Sequence, residues 1–270
     1  MRLKLIACEI LYRECCAAIA RAATTVDVTF LPKALHDIGA EKMLARLRNA
    51  LDAVDESEYD AILLGYGLCN NGVIGLTARS IPLVLPRAHD CITLFLGDRR
   101  RYAEVFESYP GYYFLTAGWL ERGESLAQDS FAARNGLGMT YEQMCEKYGE
   151  KNAAFLYEKL GNLTRNYCGF LYIETGVGPV GGFRDAAVQR AAEKPASQEK
   201  PFRFEETTGD ARLIDELLAG DWNDRDFLVV PSGYRISGRF DDMLVAAEPI
   251  HPGAAAVHSE SDSHGSENNA

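Results

Sequence analysis

A chain of 270 residues, of which 47% are hydrophobic, can bury a large core, so we expect a soluble globular protein. The net charge of −11, with no basic run longer than that in "DRRRY" (Asp98–Tyr102), excludes the basic surface of a nucleic-acid-binding protein. The apolar runs are shorter than the roughly 18 residues of a membrane span. Because Glu9 and Glu14 also interrupt the N-terminal run, we expect a cytoplasmic protein that does not enter a membrane.

The first third of the chain alternates short aliphatic runs with amphipathic segments. In "GAEKMLARLRNALDAV" (Gly39–Val54), Met43, Leu47 and Leu51 recur at helical spacing. The aliphatic runs are Leu3–Cys8, Val26–Leu31, Tyr59–Gly67 and Ile81–Pro86. This alternation predicts a Rossmann-like, three-layer α/β fold with helices on both faces of a mostly parallel sheet.

The later chain continues the pattern, and we predict one α/β domain over residues 1–250. A helical insertion is expected over about residues 120–165, with a helix that begins after Thr140 as its cap. Residues 189–201 are polar and predict a mobile loop, and residues 251–270 predict a disordered tail. The further predicted strands are Gly111–Trp119, Gly169–Gly176 and Asp226–Gly233.

Cysteine and histidine residues follow the ends of the early strands. Cys8 closes the first strand, His36 follows the second, Cys69 follows the third, and His89 and Cys91 follow the fourth. In open α/β sheets, ligands bind beyond the carboxyl ends of the strands. These five side chains are therefore expected at one edge of the sheet.

Thiols and imidazoles are ligands for zinc and for iron–sulfur clusters. We predict a metal site formed by Cys8, Cys69 and Cys91, with His89 or His36 as the fourth ligand and zinc as the first choice. No two of these cysteines form a C-x-x-C pair, so the fold would have to assemble the site. The alternative is that each cysteine is a small buried hydrophobe.

The glycine-rich run "GYGLCNNGVIG" (Gly65–Gly75) lacks the spacing of a dinucleotide or P-loop site. Its backbone could still approach a bound cofactor or anion, with an asparagine capping a following helix; the alternative is a tight turn. Arg87 could bind a carboxylate or phosphate, or form an ion pair with Asp90 or Asp98. The predicted cofactor-binding residues are Gly67, Asn70, Asn71, Gly72 and Arg87.

Three aromatic residues and the remaining four cysteines have less specific predicted roles. Trp119, Tyr66 and Tyr172 are candidates for an aromatic pocket lining, or for simple core packing. Cys168 would enter a strand rather than leave one, which places it at the opposite edge of a parallel sheet. The remaining cysteines, Cys15, Cys16 and Cys145, are interpreted as packing or surface thiols.

Several motifs resemble the DUF1638 family of uncharacterised bacterial and archaeal proteins. They are "ACEIL" (Ala7–Leu11), "LPKALH" (Leu31–His36), "YGLCNNGVIGL" (Tyr66–Leu76), "RAHDCITLFLG" (Arg87–Gly97), "YFLTAGW" (Tyr113–Trp119) and "LLAGDWNDRDFLVVPSG" (Leu217–Gly233). The resemblance implies an association with corrinoid-dependent methyltransferase systems and a suspected metal site at Cys8, Cys69, His89 and Cys91. Where the family pattern has glycine, this chain has Asn70.

Two functions therefore remain open. One is a metal-dependent, methyltransferase-type activity that supports corrinoid-dependent methyl transfer or the demethylation of methylated amines or betaines. The other is a non-catalytic accessory or chaperone for a corrinoid or methyltransferase partner, with structural cysteines. In both, the corrinoid belongs to a partner protein, and a small-molecule substrate or that protein is the expected partner.

Overall fold

The computed structural model describes residues 1–33, 35, 39–122, 141–153, 167–179, 181–193 and 201–250. The strands are β1 (Arg2–Cys8), β2 (Thr25–Leu31), β3 (Ala61–Gly65), β4 (Leu83–Pro86), β5 (Tyr112–Leu115), β6 (Gly169–Glu174), β7 (Arg203–Thr208), β8 (Phe227–Val230), β9 (Tyr234–Gly238) and β10 (Val245–Pro249). The α-helices are α1 (Tyr12–Arg21), α2 (Ala40–Asp52), α3 (Cys91–Leu96), α4 (Arg99–Ser108), α5 (Ala117–Arg122), α6 (Tyr141–Tyr148), α7 (Gly182–Ala192) and α8 (Arg212–Ala219).

The main sheet has the strand order β2-β1-β3-β4-β8. The first four strands are parallel, with Leu5 of β1 opposite Val28 on one side and Leu63 on the other. Strands β3 and β4 are buried along their whole length, which explains their continuous aliphatic runs. The prediction of an α/β protein with a mostly parallel sheet is confirmed.

Strand β8 forms the edge of the main sheet opposite β2. Strand β8 pairs with β4 in the antiparallel direction, with Val84 opposite Val229. The hairpin of β9 and β10 follows, and a backbone bridge between Thr77 and Arg235 connects it to the segment before β4. The last predicted strand, Asp226–Gly233, therefore belongs to the main sheet.

Two other predicted strands do not join the main sheet. Strands β5 and β6, which correspond to Gly111–Trp119 and Gly169–Gly176, form a separate parallel sheet with β7 in the order β5-β6-β7. Strand β7, "RFEETT", was not predicted because it is largely polar and exposed at the edge of this small sheet. Aliphatic patterning predicts strands, but it does not say with which neighbour each strand pairs.

The predicted insertion, loop and tail are described only in part. Helix α6 occupies Tyr141–Tyr148 as expected, whereas the predicted cap Thr140 lies outside the described residues. The predicted mobile loop, residues 189–201, is wrong at its start, because residues 189–192 belong to α7, and its residues 194–200 lie outside the described residues. The predicted tail, residues 251–270, is likewise outside it. Across the described residues, no helix is both long enough and apolar enough to cross a membrane.

A buried carboxyl group connects helix α1 to the end of β6 in the second sheet. Glu14 of α1 is 1% exposed, and its Oε1 accepts a hydrogen bond of 2.7 Å from Oγ1 of Thr175, just after β6. Its Oε2 is buried without a hydrogen-bond partner. Burial raises the pKa of Glu14, because the ionised carboxylate loses its hydration.

We expect the Glu14→Gln variant to be more stable than the wild type at pH 8, by on the order of 1 kcal/mol, and to lose this advantage near pH 4. In the wild type, the folded-state pKa lies above the unfolded value. Stability is therefore fully present below the unfolded pKa and falls as the pH rises through the folded pKa. Glutamine keeps the shape but cannot ionise. Urea unfolding across this pH range measures the effect.

The matched control is Glu104→Gln on the exposed surface of α4, which should leave the pH profile of unfolding unchanged. If Glu14→Gln and wild-type unfolding respond identically to pH, the carboxylate of Glu14 does not carry this penalty.

Candidate functional site

Three cysteines converge at the carboxyl edge of the main sheet. Cys8 is the last residue of β1, Cys69 follows β3, and Cys91 begins α3 after β4. The Sγ atoms of Cys69 and Cys91 are 3.7 Å apart. The Cys91 thiol also interacts with that of Cys8, and all three side chains are buried. The fold thus brings together three of the five predicted metal ligands.

The two loops that carry Cys69 and Cys91 are in direct backbone contact. The N–H groups of Leu68 and Cys69 donate to the carbonyl oxygens of Ala88 and His89, at 2.8 and 3.1 Å. Gly67 makes this approach possible, because a Cβ atom there would lie 2.8 Å from the Asp90 backbone. The predicted cofactor role of Gly67 therefore has an alternative explanation in loop packing.

The predicted asparagine turn has an unusual backbone. Cys69, Asn70 and Asn71 are three consecutive residues with positive φ angles of 46°, 57° and 65°. This left-handed region costs roughly 1–2 kcal/mol for most residues and is tolerated best by glycine and asparagine. The family's glycine and this chain's Asn70 therefore satisfy the same conformational requirement.

The anion site predicted at this turn requires a helix directly after the asparagines, and the structure has none there. Turns, rather than a helix, follow Cys69, and the N–H groups of Gly72 and Ile74 donate to carbonyl oxygens within these turns. Gly72 has a packing role, since a Cβ atom there would lie 2.3 Å from Sδ of Met43. The prediction that an asparagine caps a following helix is wrong, because the left-handed residues turn the chain away from helical geometry.

Arg87 is held by the segment at the start of β8 and by the β9–β10 hairpin. Its guanidinium donates to the backbone carbonyls of four residues, and its Nη2 pairs with Oδ1 of Asp224 at 2.8 Å. The four are Asp224, Phe227, Met243 and Val245. The ion-pair partner is therefore Asp224 instead of Asp90 or Asp98, and the geometry gives Arg87 a structural role.

His89, the one predicted histidine ligand that the structure describes, is not placed with the thiols. The side chain of His89 is 62% exposed, with its Nδ1 3.6 Å from Oδ2 of Asp90 and its ring stacked against Tyr102. Its contact with Asp90 raises the pKa of His89. Chain direction brings His89 to the correct edge, but the neighbouring Asp90 and Tyr102 hold its ring at the surface. His36 lies outside the described residues.

The surroundings of the thiol cluster disfavour the ionised, negatively charged forms of its own side chains. The pKa of Cys91 is raised well above its usual value by hydrogen bonding with Cys69 and Cys8 and by burial. Burial also raises the pKa of Tyr66, and the three thiols add to this effect. Cys15 is a fourth buried thiol, whose pKa is raised first by burial, then by Glu14 and Cys16, and last by Cys8. A cation would reverse this preference for the neutral forms.

No complete ligand set is preformed. Among the residues that the structure describes, no group of three or more His, Cys, Asp or Glu side chains is arranged to hold a metal ion. The pair of Cys69 and Cys91 has a suitable spacing, while Cys8 approaches Cys91 without completing such a set.

An aromatic pocket of about 390 Å³ adjoins the cluster. Cys91 and Asp90 form part of its wall, and Trp119 contributes to its lining as predicted. Tyr66 instead lies buried near the thiols, and Tyr172 is buried within the second sheet. The sequence does not indicate the other aromatic residues of the pocket, because most of them surround β5, whose pairing in a second sheet has no local sequence pattern.

These features define an α/β protein with a buried thiol cluster at the carboxyl ends of parallel strands. The family described as "Protein of unknown function (DUF1638)" matches residues 30–218, which is more than half of the chain. The chain therefore belongs to the DUF1638 family. No curated protein and no solved structure matches it.

We expect Asn70→Val to destabilise the protein by about 1–2 kcal/mol, because a β-branched residue is strained at this positive φ angle. Asn70→Gly should be neutral or slightly stabilising. Chemical denaturation measures both changes.

The control Asn49→Val alters an exposed residue of α2, where asparagine and valine have similar helix propensity, and should change stability by less than about 0.5 kcal/mol. Equal losses for the two valine variants would refute a special backbone requirement at Asn70.

Proposed function

We propose that this protein binds a metal ion through Cys8, Cys69 and Cys91 and uses it to support methyl transfer. The observation that carries this proposal is the 3.7 Å separation of the Cys69 and Cys91 Sγ atoms. Two thiolates bound to one tetrahedral zinc, with Zn–S bonds of about 2.3 Å, lie about 3.8 Å apart. Zinc is accordingly the first choice, and an iron–sulfur cluster is the alternative.

Cys8 is the third ligand in this proposal. Its side chain already interacts with that of Cys91, which lies 3.7 Å from Cys69 by the distance between the two Sγ atoms. The fourth position belongs to His36 or His89, or remains open. A zinc ion with three protein ligands supplies a position at which a thiol or water can bind and be activated.

The proposal also covers the reaction, the location of the protein in the cell and its architecture. We propose that the centre supports corrinoid-dependent methyl transfer or demethylation of methylated amines or betaines, with the corrinoid carried by a partner protein. Support for a cytoplasmic location comes from the cysteines, since within the described residues all seven are free thiols. The strand order is compatible with a Rossmann-like architecture, and residues 251–270 have the composition of a disordered tail.

The second candidate function is a non-catalytic accessory of a corrinoid or methyltransferase partner. The incomplete ligand set and the raised pKa of Cys91 favour this alternative, because buried neutral thiols pack like small hydrophobic side chains. Metal content distinguishes the two functions.

Protein purified without oxygen should contain about one zinc ion per chain, or iron with a visible absorption band if the centre is a cluster. Cys69→Ser and Cys91→Ser should each lose most of this metal, because each removes a thiolate ligand. Elemental analysis and an optical spectrum provide the measurement.

Cys168→Ser is the matched control, since Cys168 is partly exposed and contacts the carbonyl of Pro110 instead of the cluster. It should retain the metal. A wild-type protein that folds stably but contains neither zinc nor iron would contradict the metal centre and support the accessory function.

A further inference from the structure

Aromatic rings form most of the lining of the pocket beside Cys91. Of the twelve described residues that line it, seven are aromatic. They come from Phe106 of α4, from the segment around β5, from Trp119 of α5 and from Tyr167 before β6. Its volume of about 390 Å³ falls within the range of small-ligand sites.

The rings form walls at steep angles to each other. Tyr109 and Tyr112 meet at an interplanar angle of 76°, and Tyr113 and Tyr167 meet at 83°. A hydrogen bond of 2.9 Å from Nε1 of Trp119 to the Tyr113 hydroxyl fixes a third ring against these pairs. Such pairs present ring faces in several directions around one space, and the face of an aromatic ring carries negative electrostatic potential.

The formal charge of the residues that line the pocket is also negative. Asp90 is the one ionisable carboxylate among the described lining residues, and these include no lysine, arginine or histidine. Its carboxylate accepts hydrogen bonds from the N–H of Ile92 at 2.9 Å and from the hydroxyl of Tyr102 at 3.0 Å. The Asp90 carboxylate also lies 3.6 Å from Nδ1 of His89, which is not a lining residue, so that within the described lining the formal charge and the ring faces both favour a cation over an anion.

Trp119 already interacts with a cation. The Nζ atom of Lys33, which is not a lining residue, is 4.4 Å from the centroid of the Trp119 ring. This contact lies within the roughly 6 Å range of cation–π interactions.

From these observations we infer that the aromatic pocket binds a small organic cation, an ammonium group with apolar substituents. Apolar substituents fill the space between the rings, and the positive charge is stabilised by the ring faces and by Asp90. That the bound cation is presented to the thiol cluster through Cys91 rests on the proposed function, whereas binding itself does not.

The test compares choline with its neutral isostere 3,3-dimethyl-1-butanol by calorimetric titration of the full chain. Choline should bind saturably, at least about fivefold more tightly than the isostere, because shape and apolar area are matched and only the charge differs. Equal or tighter binding of the isostere, or no binding of choline at millimolar concentration, would overturn the inference.

A pair of phenylalanine variants locates the site. Phe106 lines the pocket and is 58% exposed, so Phe106→Ala should weaken choline binding several-fold without unfolding the protein. Phe240, in the turn between β9 and β10, is fully exposed and is not a lining residue, and Phe240→Ala should leave binding unchanged. Equal effects of the two variants would place the binding site elsewhere.

The metal content of each preparation separates this inference from the proposed function. Cys69→Ser should lose the metal but still bind choline, because Cys69 does not line the pocket. Choline binding by a metal-free wild-type protein would contradict the metal centre alone. Metal without discrimination between choline and the isostere would contradict the cation pocket alone.

Discussion

The arrangement of the site depends on the close approach of two loops at the carboxyl edge of the main sheet. Parallel pairing of β3 with β4 makes these loops neighbours, and backbone hydrogen bonds from Leu68 and Cys69 join them. Only a residue without a Cβ atom fits at Gly67, where the loops meet. The short distance between the Cys69 and Cys91 thiols follows from this contact.

Electrostatics explains why such a cluster is neutral in its own surroundings and how a bound cation would change this. Three buried thiols cannot all ionise together, because each negative charge would lose hydration and repel the other two. A divalent cation removes both penalties at once, so metal binding and deprotonation are coupled. Tyr66 contributes a fourth weakly acidic group to the same buried region.

The sequence predicted the convergence of Cys8, Cys69 and Cys91 because that inference needed only strand ends and chain direction. It did not predict the surface position of the His89 ring, which depends on Asp90 and Tyr102. Nor did it predict the backbone carbonyls that hold Arg87, since these come from residues more than 130 positions away along the chain. Contacts between segments that are far apart along the chain leave no local pattern in the sequence.

The pairing of β5 in a second sheet, which the sequence did not predict, also explains the aromatic pocket. If β5 had extended the main sheet, its aromatic residues would have packed against a covering helix. Instead β5 pairs with β6 in a second sheet, and the rings around it face the Asp90–Ile92 segment at the end of β4. The pocket is therefore a consequence of the separation into two sheets. Because Cys91 belongs to both the pocket wall and the thiol cluster, a change in the packing between the sheets alters the surroundings of both.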